Sequence, residues 1–304
     1  MQLGMIGLGK MGGNMARRLR RAGLQVVGYD HSGSEVESLA AESGLVAAES
    51  LQALVDKLDT PRVVWLMLPA GDITEANVRE LQGLLQPGDV LVDGANSFYK
   101  DSMRRGELLA ESGIHFIDAG VSGGVWGLDN GYALMVGGSD EAFAAVQPII
   151  EALAPATDQG WIHAGPVGSG HFVKMIHNGI EYGMMQAYAE GFALMKGRDD
   201  FGLDLAAIAE TWRHGSVVRS WLLDLTADVL AGDQHLEDVE PFVADSGEGR
   251  WTALESIEQG IPTPVMSLAL MTRFASQGQQ DYSSKLLAMM RNQFGGHAVR
   301  SAGD

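Results

Sequence analysis

Leu3-Gly4-Met5-Ile6-Gly7-Leu8-Gly9-Lys10-Met11-Gly12 opens the chain, and Gln25-Val26-Val27-Gly28-Tyr29-Asp30 follows one short helical pattern later. These two stretches decide the fold. The apolar residues 3–6 predict a buried strand, the pattern from Gly13 to about Ala22 a helix, and residues 25–29 a second strand ending at Asp30. A dinucleotide makes matching demands. Gly7 permits the tight turn, Gly9 lets backbone approach a pyrophosphate, and Gly12 lets helix pack on strand. The first N–H groups of the helix, with its partial positive charge, receive the phosphates. Asp30 accepts hydrogen bonds from both adenosine ribose hydroxyls and repels a 2′-phosphate, so NAD rather than NADP is the expected cofactor. His31 and Ser34 are the neighbours that would still accommodate a phosphate. Alone, such a glycine turn only connects elements; strand, helix, second strand and acid in register carry the reading.

The α/β alternation continues outward. Residues 62–68 read as a strand ended by Pro69, with Asp72 as cap of a helix over about 73–85. Residues 89–93 form a strand running into Gly94-Ala95-Asn96-Ser97, followed by a helix over 101–111 and strands at 115–118 and 132–136. Ser139 caps a helix over 141–153, and residues 161–164 make a last strand. Short connections and buried strands imply an N-terminal α/β Rossmann domain, a doubly wound and mainly parallel sheet with helices on both faces. Ligands of such sheets bind beyond the carboxyl ends of the strands. Asn96 and Ser122 both follow an expected strand. The expected cofactor-binding set is Gly7, Leu8, Gly9, Lys10, Met11, Gly12, Asp30, Leu68, Pro69 and Asn96.

The loop Gly165-Pro166-Val167-Gly168-Ser169-Gly170 separates this region from a helical remainder. The expected division is a dinucleotide-binding domain over 1–164 and an all-α domain for substrate binding and oligomerisation over 165–304. Just after the loop, Lys174, His177, Asn178 and Glu181 occupy i, i+3, i+4 and i+7 and share one helix face. Phe172, Val173, Met175, Ile176 and Ile180 cover much of the remainder. A Lys–Glu pair on a solvated face is the ordinary reading of such a stripe. The apolar remainder is too extensive for a surface helix, so the stripe is expected to face a cleft. Ser122-Gly123-Gly124, taken alone, is equally a turn between strands or a hydroxyl beside N–H groups that can approach a carboxylate.

Bulk composition excludes several classes. The chain has 304 residues, no cysteine and a net charge of −18. Thiolate metal sites, disulfides and cysteine nucleophiles are ruled out, and the scattered histidines form no metal-binding pair. The charge argues against nucleic acid and anionic membranes as partners. No leader and no membrane span is visible, so the expected location is the cytoplasm. An anionic substrate would have to find a few local cations against that background.

Asp93-Gly-Ala-Asn96-Ser97, Val121-Ser122-Gly123-Gly124 and Lys174-Met-Ile-His177-Asn178-Gly-Ile-Glu181-Tyr182-Gly together resemble the decarboxylating 6-phosphogluconate dehydrogenases. Chain length, Ser122-Gly-Gly-Val-Trp126-Gly and Asp30 are similar to the shorter, NAD-preferring branch. The related 3-hydroxyisobutyrate dehydrogenases share the glycine loop and the lysine but usually lack the His-Asn-Gly-Ile-Glu-Tyr continuation. A silent cofactor-binding protein is the remote alternative. The resemblance implies oxidation at C3 of 6-phosphogluconate with NAD as hydride acceptor, loss of CO2 and formation of ribulose 5-phosphate. It makes Lys174 the general base and acid, and Glu181 the acid that protonates the enediol. Asn96, Ser122, Gly123, Gly124, His177 and Asn178 would hold the sugar acid, and Tyr182 and Arg273 its phosphate. In the tail, Arg291-Asn-Gln-Phe-Gly-Gly-His297 matches a family ending in which Arg291 and His297 would reach a neighbouring subunit's site, implying a homo-oligomer. Before Trp251 the longer enzymes carry a phosphate-binding lysine and threonine where this chain has Ser246 and Glu248; Arg250 is the nearby cation. Val125 stands where they have an acid.

Asp30→Ala is expected to weaken NAD binding while leaving the sugar-acid KM nearly unchanged, measured by titration and steady-state kinetics. A protein that already prefers NADP before mutation would overturn the role given to Asp30.

Overall fold

The computed structural model describes residues 1–278, 281–295 and 298–299. Its contacts divide the chain into a unit Met1–Ile176 and a unit His177–Asp304. In the first, β1 (Gln2–Ile6), α1 (Lys10–Arg21), β2 (Gln25–Tyr29), α2 (Gly33–Ser43), β3 (Val46–Ala47) and α3 (Leu51–Asp56) lead to β4 (Val63–Leu66). There follow α4 (Asp72–Leu84), β5 (Val90–Asp93), α5 (Tyr99–Ala110), β6 (His115–Ser122), α6 (Gly127–Asn130), β7 (Ala133–Gly137), α7 (Asp140–Leu153) and β8 (Trp161–Gly165). The long helix α8 (Ser169–Lys196) begins on this unit and carries the chain into the next.

The strands make one eight-stranded sheet in the order β3-β2-β1-β4-β5-β6-β7-β8. Every neighbouring pair is parallel except β6 and β7. The central strands are apolar on both faces, as a sheet covered by helices on each side requires. Leu3, Met5, Trp65, Val92 and Ile117 enter one buried layer. Ile6, Val27, Val64, Leu66, Leu91 and Phe116 enter the other. Because β1 lies between β2 and β4, the direction of winding reverses there, and the crevice at that point opens beyond the carboxyl ends. Tyr29, Ile6, Leu66 and Asp93 end their strands abreast in register, so the loops that follow them leave from one edge, and Asp118 of β6 stands level with them.

Several boundaries differ from the sequence reading for local reasons. Helix α1 starts at Lys10 rather than Gly13, because Gly9 takes the N-cap and Lys10, Met11 and Gly12 form its first turn. Asp72 does not cap α4. Gly71 does, at φ +91°, a conformation that suits glycine, and Asp72 is the first helical residue, where its charge still favours the helix dipole. Strand β6 runs on to Ser122 because the antiparallel ladder with β7 continues through Gly120, so Ser122 ends the strand instead of following it. Ser139 caps α7 as expected, its hydroxyl accepting from the Ala142 N–H at 3.2 Å.

The second unit holds the rest of α8, then α9 (Leu205–Arg213), α10 (Trp221–Gly232), α11 (Glu248–Gln259), α12 (Pro264–Ser276) and α13 (Asp281–Gly295), with no strand among its described residues. Phe192, Leu205, Ala209, Leu223, Ala227 and Leu230 form one core, and Tyr182, Ala269 and Leu270 a smaller one.

A charged cluster braces the sheet unit. Arg105, 1% exposed, donates to the Asp93 carboxylate at 2.9 Å and to Glu75 at 3.1 Å. Arg104 donates to both Glu75 oxygens, at 2.9 and 2.8 Å. The hydrogen bond from Arg104, then that from Arg105, hold the Glu75 carboxyl at about 2 against a usual 4.5, although burial opposes them. A depressed carboxyl contributes stability above its unfolded value and loses it as pH falls through the folded one. The thermal midpoint is therefore expected to fall between about pH 4.5 and 2, and Glu75→Gln to remove part of that slope. Identical acid slopes in the two proteins would refute this.

Candidate functional site

The turn after β1 is built by the glycines. Gly7 has φ +88°, and a Cβ there would lie 2.4 Å from the Met67 carbonyl oxygen. A Cβ on Gly12 would lie 1.9 Å from the Gly7 oxygen, so helix and turn meet backbone to backbone. In front of Gly9 there is open space, with nothing within 4 Å of its absent Cβ. No side chain caps α1 and no acid occupies its first turn, which leaves that helix end to an anion. Leu8 is buried, Lys10 exposed and Met11 half-buried. Leu68 approaches the same turn from the end of β4, and Pro69 beyond it is exposed.

Asp30 closes this cradle from the end of β2. One carboxylate oxygen accepts from the Leu8 N–H at 2.7 Å. The other accepts from the Ser32 N–H at 3.0 Å and pairs with His31 Nδ1 at 2.7 Å. The Asp30 side chain is 8% exposed and that of His31 93%. The acid thus ties the two strand ends together, a bracing role that sequence spacing alone does not reveal. An open glycine cradle, an uncapped helix end and a carboxylate beside it fit a dinucleotide.

Farther along the edge, Asp93 pins the loop that bears Asn96. Its carboxylate accepts from the Ala95 N–H at 3.0 Å, from the Ser97 hydroxyl at 2.9 Å and from Arg105. Asn96 projects, exposed, between Ala95 and Ser97, which are both buried. Ser122 ends β6, and Gly123 (φ +133°) and Gly124 (φ +52°) turn the chain into a short 3-10 segment. Beneath that segment lies Tyr132, whose ring a Cβ on Gly127 would meet at 2.0 Å and whose phenol burial pushes up to about 12. Tyr132 carried no motif, and burial alone marks it as a support.

Lys174 joins this edge through the start of α8. It is 9% exposed, and a Cβ added to Gly120 would lie 2.4 Å from the lysine Cβ. Two residues farther along β6 stands Ser122, on the same face of the strand. The helix end itself is held by Asp118. One of its oxygens accepts from the Gly168 N–H at 2.6 Å, the other from the His171 N–H at 2.8 Å.

The remaining candidates lie in the second unit. His177 Nδ1 is 2.9 Å from Asn178 Oδ1 and 3.8 Å from the Glu181 carboxylate. All three are half-buried. Val173 and Ile180 are 39% and 51% exposed, so α8 is covered on less of its circumference than its apolar content predicted. Tyr182 is buried, and the Arg273 guanidinium lies flat on its ring, 3.5 Å from the centroid. Arg273 also donates to the Ala244 carbonyl at 2.8 Å. The Tyr182 hydroxyl is 3.3 Å from Ser246 Oγ, and Ser246 donates to the buried Glu248 at 2.6 Å. Arg250 pairs with Asp245 and stacks 4.4 Å from the Phe274 ring centroid. Arg291 is exposed on α13, and His297 lies outside the described residues.

Comparison with known proteins covers both regions of the chain. Residues 2–163 match the NAD binding domain of 6-phosphogluconate dehydrogenase, and residues 170–299 match the 6-phosphogluconate dehydrogenase C-terminal domain. A putative 6-phosphogluconate dehydrogenase of Bacillus subtilis is 42% identical over 98% of this chain and 99% of its own length. The NAD(+)-dependent, decarboxylating 6-phosphogluconate dehydrogenase of Haloferax volcanii is 42% identical over the full length of both. Among solved structures, Plasmodium falciparum 6-phosphogluconate dehydrogenase superposes with a TM-score of 0.85 at 29% identity, over 100% of this chain and 67% of that one. With matches across both of its units, the chain belongs to the 6-phosphogluconate dehydrogenase family.

Proposed function

We propose that this protein oxidatively decarboxylates 6-phosphogluconate to ribulose 5-phosphate and CO2 with NAD. The observation that carries the reading is the polar stripe of α8, whose first member, Lys174, is buried against β6 beside Ser122. Full-length similarity to the Haloferax enzyme supports the cofactor and reaction class.

NAD, when bound, supplies the acceptor for a hydride from C3. Its pyrophosphate is held by the turn from Gly7 to Gly12, and Asp30 holds its adenosine ribose. Leu68, Pro69 and Asn96 complete that site. Lys174 takes the proton of the C3 hydroxyl. The 3-keto acid so formed loses CO2 as its electrons move into the ketone, and Lys174 returns its proton to that oxygen. Glu181 then delivers a proton to the carbon that lost CO2, and the enediol becomes the product ketose. Base and acid both lie on α8.

Asn96, Ser122, Gly123, Gly124, His177 and Asn178 hold the carboxylate and hydroxyls. Arg273, already oriented by Tyr182 and the Ala244 carbonyl, keeps the remaining guanidinium N–H groups for the phosphate. Ser246 and Glu248 do not replace the longer enzymes' cationic contact, so the phosphate relies more heavily on Arg273. The region 165–304 serves substrate binding and association. Arg291 and His297 complete the site of a neighbouring subunit, which makes the working form a homo-oligomer.

Incubation with 6-phosphogluconate and NAD should release CO2 and form NADH, with NADP much the poorer acceptor. Turnover of 3-hydroxyisobutyrate alone would overturn the reading. Glu181→Gln is expected to lower kcat by about 10²–10⁴-fold, the range of general acid catalysis, with NAD affinity within about twofold. Loss of NAD binding in that variant would contradict the role.

A further inference from the structure

We propose that Asp118 and Gly120 of β6 are positioning residues for Lys174, and that with Ser122 they make one strand face the organiser of the reaction. The inference rests on the proton-transfer role given to Lys174 above.

Residues 118, 120 and 122 alternate with Ile117, Ala119 and Val121, which enter or pack against the core on the opposite side of the sheet. The side bearing Asp118 would normally present apolar groups to a covering helix. Here it presents a fully buried carboxylate, a hydrogen and a hydroxyl. Burying a carboxylate is costly unless it is hydrogen-bonded, so its partners show what it does. Both are backbone N–H groups at the start of α8.

That helix cannot cap itself. Gly168 takes the N-cap position, with its carbonyl accepting from the Phe172 N–H at 2.9 Å and with φ +95°. It has no side chain for the N3 N–H, and His171 at N3 is no acidic partner for the N-cap N–H. In a capping box these two bonds come from the helix's own first turn. Asp118 makes both from a strand fifty residues earlier. A carboxylate with one oxygen on each N–H fixes the height and the rotation of the first turn. It also locates residue 174, one further turn along.

The glycines set the distance. A Cβ on Gly170 would lie 2.4 Å from the Asp118 carbonyl oxygen and 2.5 Å from that of Met135. A Cβ on Gly137 would meet Asp118 Oδ1 at 2.4 Å. Gly170 of the first turn therefore lies on the backbone of β6 and β7, beside the Asp118 carboxylate. Gly120 is the seat of the lysine itself, and any side chain there displaces the Lys174 stem, because it would meet the lysine Cβ rather than its flexible end.

The test compares Asp118→Asn and Gly120→Ala with Ala119→Gly, a change on the opposite face, and with Lys174→Met. Asn keeps one acceptor but sets an amide against a backbone N–H. In NAD-linked turnover of 6-phosphogluconate, both positioning variants are expected to lose at least tenfold in kcat with the NAD KM within twofold. Ala119→Gly should lower the melting temperature and spare kcat. A parallel measurement follows acylation of Lys174 by an amine-reactive ester, read on its own peptide; its rate should change at least threefold in both variants and not in Ala119→Gly. Folded variants with unchanged kcat and unchanged Lys174 acylation overturn the proposal, as does a kcat loss that Ala119→Gly shares. If Lys174→Met turns over normally, the role of the lysine fails instead. The acylation rates decide the positioning claim even if the sugar acid is not the substrate.

Discussion

In the first turn of α8, Gly170 rests directly on the backbone of β6 and β7. Much else depends on that contact. Helices normally stand off a sheet by the thickness of their side chains, and at that distance a lysine in the second turn would reach the strands only with its tip. Glycines at 120, 137 and 170 remove the spacing. The lysine stem then lies against the strand whose last residue is Ser122, and the residue becomes buried. The enthalpy of such close packing is lost with a single added methyl group, since interiors are packed too densely to absorb one against backbone.

The nucleotide edge obeys the same economy of atoms. Gly7 and Gly12 bring turn and helix into backbone contact, and Gly9 leaves a cradle empty in front of the helix end. Asp30 ties the turn after β1 to the end of β2, accepting from the Leu8 N–H on one oxygen and the Ser32 N–H on the other. Charge is handled differently deeper in the unit. Arg104 and Arg105 balance Glu75 and Asp93 under the Asn96 loop, and Asp93 pins that loop at the Ala95 N–H and the Ser97 hydroxyl.

In the second unit Arg273 is held by a ring and a carbonyl. It stacks on Tyr182 and bonds the Ala244 carbonyl, which restricts the conformational freedom of its side chain before any ligand is bound. The neighbouring Ser246 meets the Tyr182 hydroxyl and donates to Glu248, so these two residues hold the platform.

Periodicity and glycine spacing made the sheet unit legible from the chain alone. The βαβ start, the cofactor turn, Asp30, the later strands and the polar stripe from Lys174 to Glu181 all depend on neighbours within a few residues, and local patterns encode them. The short helices over Gly33–Ser43 and Leu51–Asp56 gave no such pattern, and Asp72 read as a cap where a positive-φ Gly71 does the work. What the chain did not disclose was decided by residues distant in sequence. Asp118 reads as an ordinary strand end until α8 is laid across it, and Gly120 reads as a weak strand residue until the lysine is seated on it. Tyr132 becomes a floor only beneath the glycine loop. Local sequence determined which elements form and which chemistry they carry; tertiary packing alone decided which backbone atoms meet and how that chemistry is aimed.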